Sequence, residues 1–303
     1  MTKKTDILTR AAMAAAACIA LTGCVRDDIP DCPPLSVMIG IEDKNYSNID
    51  DVEEATGLDR RVDEGQPFRA YIQKLYYSLT DTGTGEVVFT QHLHDVSGDA
   101  PLATARLPKD LPFGTYALTV WGNIDNEEPV RDNGRYYTMH TDEVEGYDVY
   151  MTNDTLVYDY THADYTVSLK RVKGKLIVQG VNLPEDLALS EKQITNLSLY
   201  AGRHGLYAGS GAVTDSTALG GQQEVITNTV LAPTAADAES DVQFRLFADD
   251  GDEPRYSTDR VGLTFERNTI EVIRLVYNEE QDKIIVYILV DGAWKQVHNL
   301  GLE

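Results

Sequence analysis

Gly114-Thr115-Tyr116-Ala117-Leu118-Thr119-Val120-Trp121 alternates large apolar side chains at Tyr116, Leu118 and Val120 with small ones at Thr115, Ala117 and Thr119. Successive side chains of a strand point to opposite faces, so this period of two predicts a β-strand with one buried face. Trp121 closes the run and is expected in the core, where an indole contributes its large apolar area.

Working outward, the same signals recur. Tyr71 to Leu79, the turn Asp81-Thr82-Gly83-Thr84-Gly85 and Glu86 to Thr90 predict a hairpin. Leu35 to Ile41 follows the Pro33-Pro34 break as a first strand, and Leu102 to Leu107 is a short one between prolines. Asp50 to Gly65 is acidic and lacks strand periodicity, which predicts a loop or a short surface helix. A second set opens at Tyr165, Val167 and Leu169, turns at Lys173-Gly174 and continues through Leu176 and Val178. Further strands are expected at 194–201, 206–213, 224–231, 242–247, 261–265, 269–277 and 283–290. Ile284 to Val290 is apolar on both faces and should be a central strand. The polar, Tyr- and Asp-rich stretch Tyr136 to Asp164 is expected to include a domain junction near residue 162. Many short strands spaced near ten residues predict β-sandwiches rather than a parallel sheet with helices. No repeat of 20 to 50 residues is visible, so solenoids and propellers are not expected.

The chain has 303 residues, enough for about two domains. With 26 Lys and Arg against 49 Asp and Glu, its net charge is −23. That surface repels phosphate backbones and anionic headgroups, so no nucleic acid partner and no electrostatic membrane docking are expected. A hydrophobic fraction of 42% is too high for a disordered acidic tail.

Residues 1–23 read as a secretion signal: Lys3, Lys4 and Arg10 precede the apolar run Ala11 to Leu21. That run is too short to span a bilayer, which takes ~20 residues. Leu21-Thr22-Gly23-Cys24 resembles a bacterial lipobox, in which the signal is cut before the cysteine and the sulfur is acylated; Cys24 is the expected lipidation site. The signal holds three cations and one anion, so its removal takes the charge from −23 to −25. Acyl chains alone would then hold the protein to a membrane. Asp27 and Asp28, just behind Cys24, resemble the surface-export signals of Bacteroidota lipoproteins. Cys18 leaves with the signal and Cys24 carries lipid, so Cys32 is a lone thiol in the tether and no internal disulfide is available.

Three features resemble the fimbrillin superfamily of Bacteroidota, and within it the FimB-type anchoring subunits. They are Cys24 with Cys32-Pro33-Pro34, the segment Leu111 to Asn123, and Val167 to Leu176. The resemblance implies an all-β chain of two tandem transthyretin-like β-sandwich domains after a lipoprotein signal peptide. Its parts would be the signal (1–23), a lipidated tether (24–34), an N-terminal sandwich (35–162) and a C-terminal sandwich (163–303). It further implies a non-enzymatic base subunit at the cell outer membrane. Such a subunit attaches a fimbrial polymer, limits its length, and binds a stalk subunit by strand complementation. Lys283 to Val290, with Trp294 to Val297, is the segment to examine first for that exchange.

Chemical motifs are sparse, and no cofactor, metal or catalytic residue is expected. His92 and His94 would share one strand face without an evident third zinc ligand. Asp249 to Glu253 and Asp125 to Glu128 miss the calcium-loop spacing. Gly209-Ser210-Gly211 is not a nucleophile elbow, and Thr82-Gly83-Thr84-Gly85 lacks the Lys of a phosphate loop. The alternative reading is a surface lipoprotein that binds glycans through sandwich loops, using aromatics among Tyr136, Tyr137, Tyr147 and Tyr150.

Overall fold

A computed structural model describes residues 33–219, 225–236, 238–248 and 251–297. The signal, Cys24, Cys32, Asp249 and Asp250 lie outside them. The chain starts with β1 (Ser36–Ile41) and helix α1 (Ile49–Thr56). The hairpin β2 (Lys74–Asp81) and β3 (Val87–Asp95) comes next, then the two-residue β4 (Ala103–Thr104) and β5 (Gly114–Gly122). After β6 (Val130–Arg131) and β7 (Tyr136–Thr138) come β8 (Tyr150–Tyr158) and β9 (Asp164–Arg171). The second half runs β10 (Gly174–Val181), β11 (Leu187–Leu197), β12 (Tyr200–Gly202), β13 (Leu206–Ala208), β14 (Gly211–Ala218) and β15 (Val225–Leu231). It ends with β16 (Ser240–Ala248), β17 (Tyr256–Ser257), β18 (Val261–Leu263), β19 (Ile270–Asn278), β20 (Lys283–Val290) and β21 (Ala293–Gln296).

Seven strands form the order β3-β2-β5-β8-β9-β1-β4. Only two rungs, Tyr150 with Arg171 and Met151 with Lys170, join β8 to β9. The strands before and after that join therefore fold face to face. Val37, Ile39, Val167 and Leu169 from one layer pack with Leu75, Tyr77, Leu118 and Val120 from the other. The strand β9, expected to open the C-terminal half, instead completes this sheet, pairing parallel with β1 in full register from Ser36–Asp164 to Ile41–Leu169.

Two further sheets, β15-β10-β19-β20-β21 and β14-β11-β16-β17 with β18 also on β16, enclose the second core. Val178, Ile194, Val213, Phe244, Ile273 and Leu275 are fully buried in it. That core does not stop at the second half. Tyr76, Trp121, Tyr137, Met139 and Met151 belong to it, because a small sheet, β13-β12-β7-β6, bridges the outer face of β2 and β5 to the C-terminal strands. The alternation in β5 is thus correct for Tyr116, Leu118 and Val120, but the opposite face is covered as well. Thr119 and Trp121 are both at 0% exposure, and the indole Nε1–H donates to Gly134 O at 2.7 Å. Leu102 to Leu107 shrinks to β4, with Ala105 N–H still donating to Val37 O. Helix α1 buries Ile49 and Val52 against Ile177, Ile270 and Val272, so it covers the outer face of the β10–β19 pair. No helix among the described residues is long and apolar enough to cross a membrane.

Candidate functional site

Among the described residues, the seam of the C-terminal sandwich is the part of β20 that lacks a strand neighbour on its β21 side. Strand β20 sits between β19 and β21 in order, as its two apolar faces predict. Of its eight residues, however, only Val286 is buried. Both covering layers end there: Ile284 and Ile288 reach the rim of the second core, while Leu289 and Trp294 border the cluster under α1. β21 returns through Asp291-Gly292 with φ of +52° and +71°, the left-handed pair that a two-residue type I′ hairpin requires. The last bond on that side runs from Val297 N–H to Val286 O at 2.8 Å. Beyond it, Lys283, Ile284 and Ile285 have no strand neighbour on the β21 side among the described residues. They line a groove of about 220 Å³ whose far wall is Ser257, Thr258, Asp259 and Val261, at the edge of the facing sheet. An edge of this kind offers backbone donors and acceptors beside apolar side chains, which is what an added strand pairs with.

The closed end of the seam is fixed by Asp282. The hydroxyls of Tyr256 and Tyr277 donate to its Oδ1 at 2.7 and 3.0 Å, with ring centroids 5.7 Å apart. These bonds hold the Asp282 carboxyl below the usual carboxylate range, while burial pushes the Tyr256 hydroxyl up. On the outer face of the sheet the Arg274 guanidinium stacks 3.6 Å over Trp294 and donates to Gln179 Oε1 at 2.7 Å.

A second polar cluster lies where the two halves meet, and the sequence reading missed it. Lys170-Arg171-Val172-Lys173-Gly174-Lys175 looks like a solvated basic run, yet Arg171 is 5% exposed and Lys173 1%. Arg171 Nε donates to Asp148 Oδ2 at 2.9 Å, Nη1 to Asn268 Oδ1 at 2.7 Å, and Nη2 to the Tyr150 hydroxyl. Its plane stacks 4.0 Å over the Tyr46 ring. Asp43 accepts from the Arg171 backbone N–H at 2.8 Å and from Arg267 Nη2. Lys173 Nζ donates to Glu145 O at 2.7 Å, and burial pulls its pKa down to about 8. Lys175 Nζ meets Asp59 Oδ2 at 2.5 Å. Removing one partner of so buried a set leaves an uncompensated charge, at a cost of about 3–5 kcal/mol. The available signal was that the longest basic run of an acidic chain sits between two strand patterns.

The other motifs resolve as local structure. A β-bulge opposite Tyr76 breaks the alternation expected at His92 and His94. His92 Nδ1 then meets Glu127 at 3.0 Å, and His94 stacks edge-on against Tyr77 at 5.9 Å, so the two rings do not converge. Glu127 also accepts the Leu93 N–H at 2.7 Å, and Asn126 caps Glu128 N–H, which makes Asp125 to Glu128 a side-chain-bonded turn. Asp81 Oδ1 accepts from Gly83 and Thr84 N–H in the hairpin turn. Among the described residues no group of three or more His, Cys, Asp or Glu is placed to hold a metal. Of the four tyrosines offered as a glycan platform, Tyr137 and Tyr150 are buried, whereas Tyr136 and Tyr147 are exposed.

No protein-family model and no curated protein matches the chain. Solved structures do share its fold. A candidate adhesin from Bacteroides ovatus aligns with a TM-score of 0.54 at 14% identity, covering 91% of this chain and 98% of its own. Another, from Bacteroides thetaiotaomicron, gives 0.53 at 12% identity over 89% of this chain and all of its own. A candidate cell adhesion protein from Parabacteroides distasonis gives 0.51 at 11% identity over 87% and 96%. The all-β sandwich architecture is therefore one that known Bacteroidota proteins adopt over nearly their full length.

Proposed function

We propose that the chain is a lipid-anchored base subunit of a cell-surface fimbria, acylated at Cys24 and facing outward from the outer membrane. In this reading it holds two sandwiches, with the join at Val172–Lys173. It captures one stalk subunit by accepting or donating a strand at the seam. The observation that carries the reading is the half-buried pair Ile284 and Ile285 on β20, without a strand neighbour on the β21 side among the described residues, beside the groove walled by Ser257 to Val261. The signal and lipobox, the repulsion of a −25 mature chain from anionic headgroups, and the fold shared with candidate adhesion proteins support it. The role proposed is structural rather than catalytic.

The test is capture and retention. Purified from membranes, the chain should carry a polymeric subunit in a complex that resists mild denaturant. Ser257→Trp, which fills the groove from its exposed rim, should lose that subunit without loss of fold. Cys24→Ala should release fimbriae into the medium. Fimbriae that stay cell-bound in Cys24→Ala, or a Ser257→Trp chain that still captures the stalk subunit, would overturn the reading.

A further inference from the structure

The small sheet turns one face to solvent, and its pairing register sets which side chains stand there. Arg131, Tyr136, Gly202 and Leu206 form one cross-strand row. The next row, Val130, Tyr137, Ala201 and Tyr207, points inward, with Tyr137 stacked 5.6 Å from Trp121 and the Tyr207 hydroxyl donating to Val172 O at 2.7 Å. Thr138, Tyr200 and Ala208 return to the outer face. Tyr136, Tyr200 and Leu206 are 41%, 38% and 60% exposed.

Gly202 explains how the Tyr136 ring is held. A Cβ added there would lie 2.8 Å from both Cδ1 and Cε1 of Tyr136, so the ring occupies the space a side chain would need. The hydroxyls of Tyr136 and Tyr200 bond no described residue, and Arg131 meets no carboxylate there. Arg135 is ion-paired with Asp132 at 3.3 Å and Arg203 donates to the buried Thr80 hydroxyl at 3.3 Å, so Arg131 is the arginine of the segments Val130–Thr138 and Tyr200–Ala208 left for a ligand, on a chain of net charge −23. Screening at physiological ionic strength confines such fields to about 8 Å, so the local charge governs what binds here.

We infer that this face is a binding site for a short anionic oligosaccharide, whose sugar carbons stack on Tyr136 and Tyr200 while Arg131 takes a ring carboxylate or sulfate. Size decides against a protein partner. Four strands at ~4.8 Å and three residues at ~3.3 Å give a face of roughly 190 Å², well below the ~800 Å² per side of a standard protein interface. Sugars suit it because they present apolar C–H faces and hydroxyls together, matching fixed rings with free hydroxyls. The inference is independent of the seam and of the fimbrial reading.

The full chain, purified in detergent, is titrated calorimetrically with tetragalacturonate, a sulfated chondroitin tetrasaccharide and neutral cellotetraose. The expected result is binding of at least one anionic probe, weakened by salt, with cellotetraose at least about tenfold weaker, a difference of 1.4 kcal/mol. Arg131→Gln should erase that preference, and Tyr136→Ala should weaken all binding about tenfold. Gly202→Ala keeps every polar group and only lifts the ring, so a several-fold loss there separates stacking from a folding defect. Equal binding of neutral and anionic probes, no binding of either anion, or unchanged affinity in Tyr136→Ala would each overturn the inference.

Discussion

His140 makes two backbone bonds that only one neutral tautomer can make together: Nδ1–H donates to Val144 O at 3.0 Å, and Nε2 accepts from Ala232 N–H at 2.8 Å. Burial, with Lys173 nearby, lowers its pKa to about 3. Its contribution to stability is complete above the unfolded value near 6.5 and is lost as pH falls through 3, at about 1.4 kcal/mol per pH unit at the steepest. Glu271 works in the opposite sense. It is half-buried on β19, has Glu266 near it, and burial raises its pKa to about 7. Its neutral form is favoured in the folded chain, so its stabilisation is complete below about 4.5 and is lost as pH rises through 7. Between about pH 4.5 and 6.5 these two contributions oppose each other. Glu271→Gln should be the more stable chain at pH 8 and should lose stability steadily as pH falls from 6.5. A Glu271→Gln profile parallel to wild type between pH 4.5 and 8 would contradict this assignment.

At the scale of elements, Gly174 shows how closely β10 approaches the turn before β19. An added Cβ would lie 2.2 Å from Glu266 O and 3.1 Å from Thr269 O, both backbone atoms. That turn is held by Asn268 N–H to Lys173 O and Lys175 N–H to Thr269 O, each at 2.9 Å, and it carries Arg267 and Asn268 into the Asp43–Arg171 cluster. Gly174→Ala must therefore separate two backbones and loosen the buried charges. We expect a loss of about 3 kcal/mol, at the upper end for overpacking, read as a lowered urea midpoint. A shift below a third of that would mean the turn yields freely. Which elements were legible follows from the same local physics. β5 and the β2–β3 hairpin were readable because Tyr116, Leu118 and Val120, like Leu75, Tyr77 and Leu79, alternate toward the first core, and β19 because its apolar residues serve a core on each face. β8 was not, because Asn153, Asp154 and Thr155 stand at its centre, and Asn153 Nδ2 spends itself on Leu118 O and Thr119 Oγ1. The parallel pairs β1–β9 and β10–β19 join residues some hundred positions apart and leave no local pattern. The groove at β20 was anticipated as a segment, but its far wall comes from Ser257 to Val261 on the facing sheet, which no alternation encodes.

For the whole molecule, the question is whether the two halves can respond separately. The second core takes Tyr76, Trp121, Ile124, Tyr137 and Met151 from the first half, and Arg171 ties Asp148 and Tyr150 to Asn268 across the join. Unfolding the C-terminal strands alone would expose Trp121, fully buried now, and leave the Arg171–Asp148 pair without its cover; together these cost several kcal/mol. A subunit loaded at the seam would accordingly pass force through a shared core rather than a loose linker. The two tryptophans report from opposite ends of that path: Trp121 at the join and Trp294 on β21, under Arg274. In Trp294→Phe the remaining Trp121 fluorescence, and in Trp121→Phe the remaining Trp294 fluorescence, should each change at the same urea concentration as the far-ultraviolet dichroism of that variant. Coincidence in both is the signature of one cooperative unit. A Trp294 transition that precedes the loss of dichroism would mean that the seam opens on its own, and the shared core would then not couple the halves.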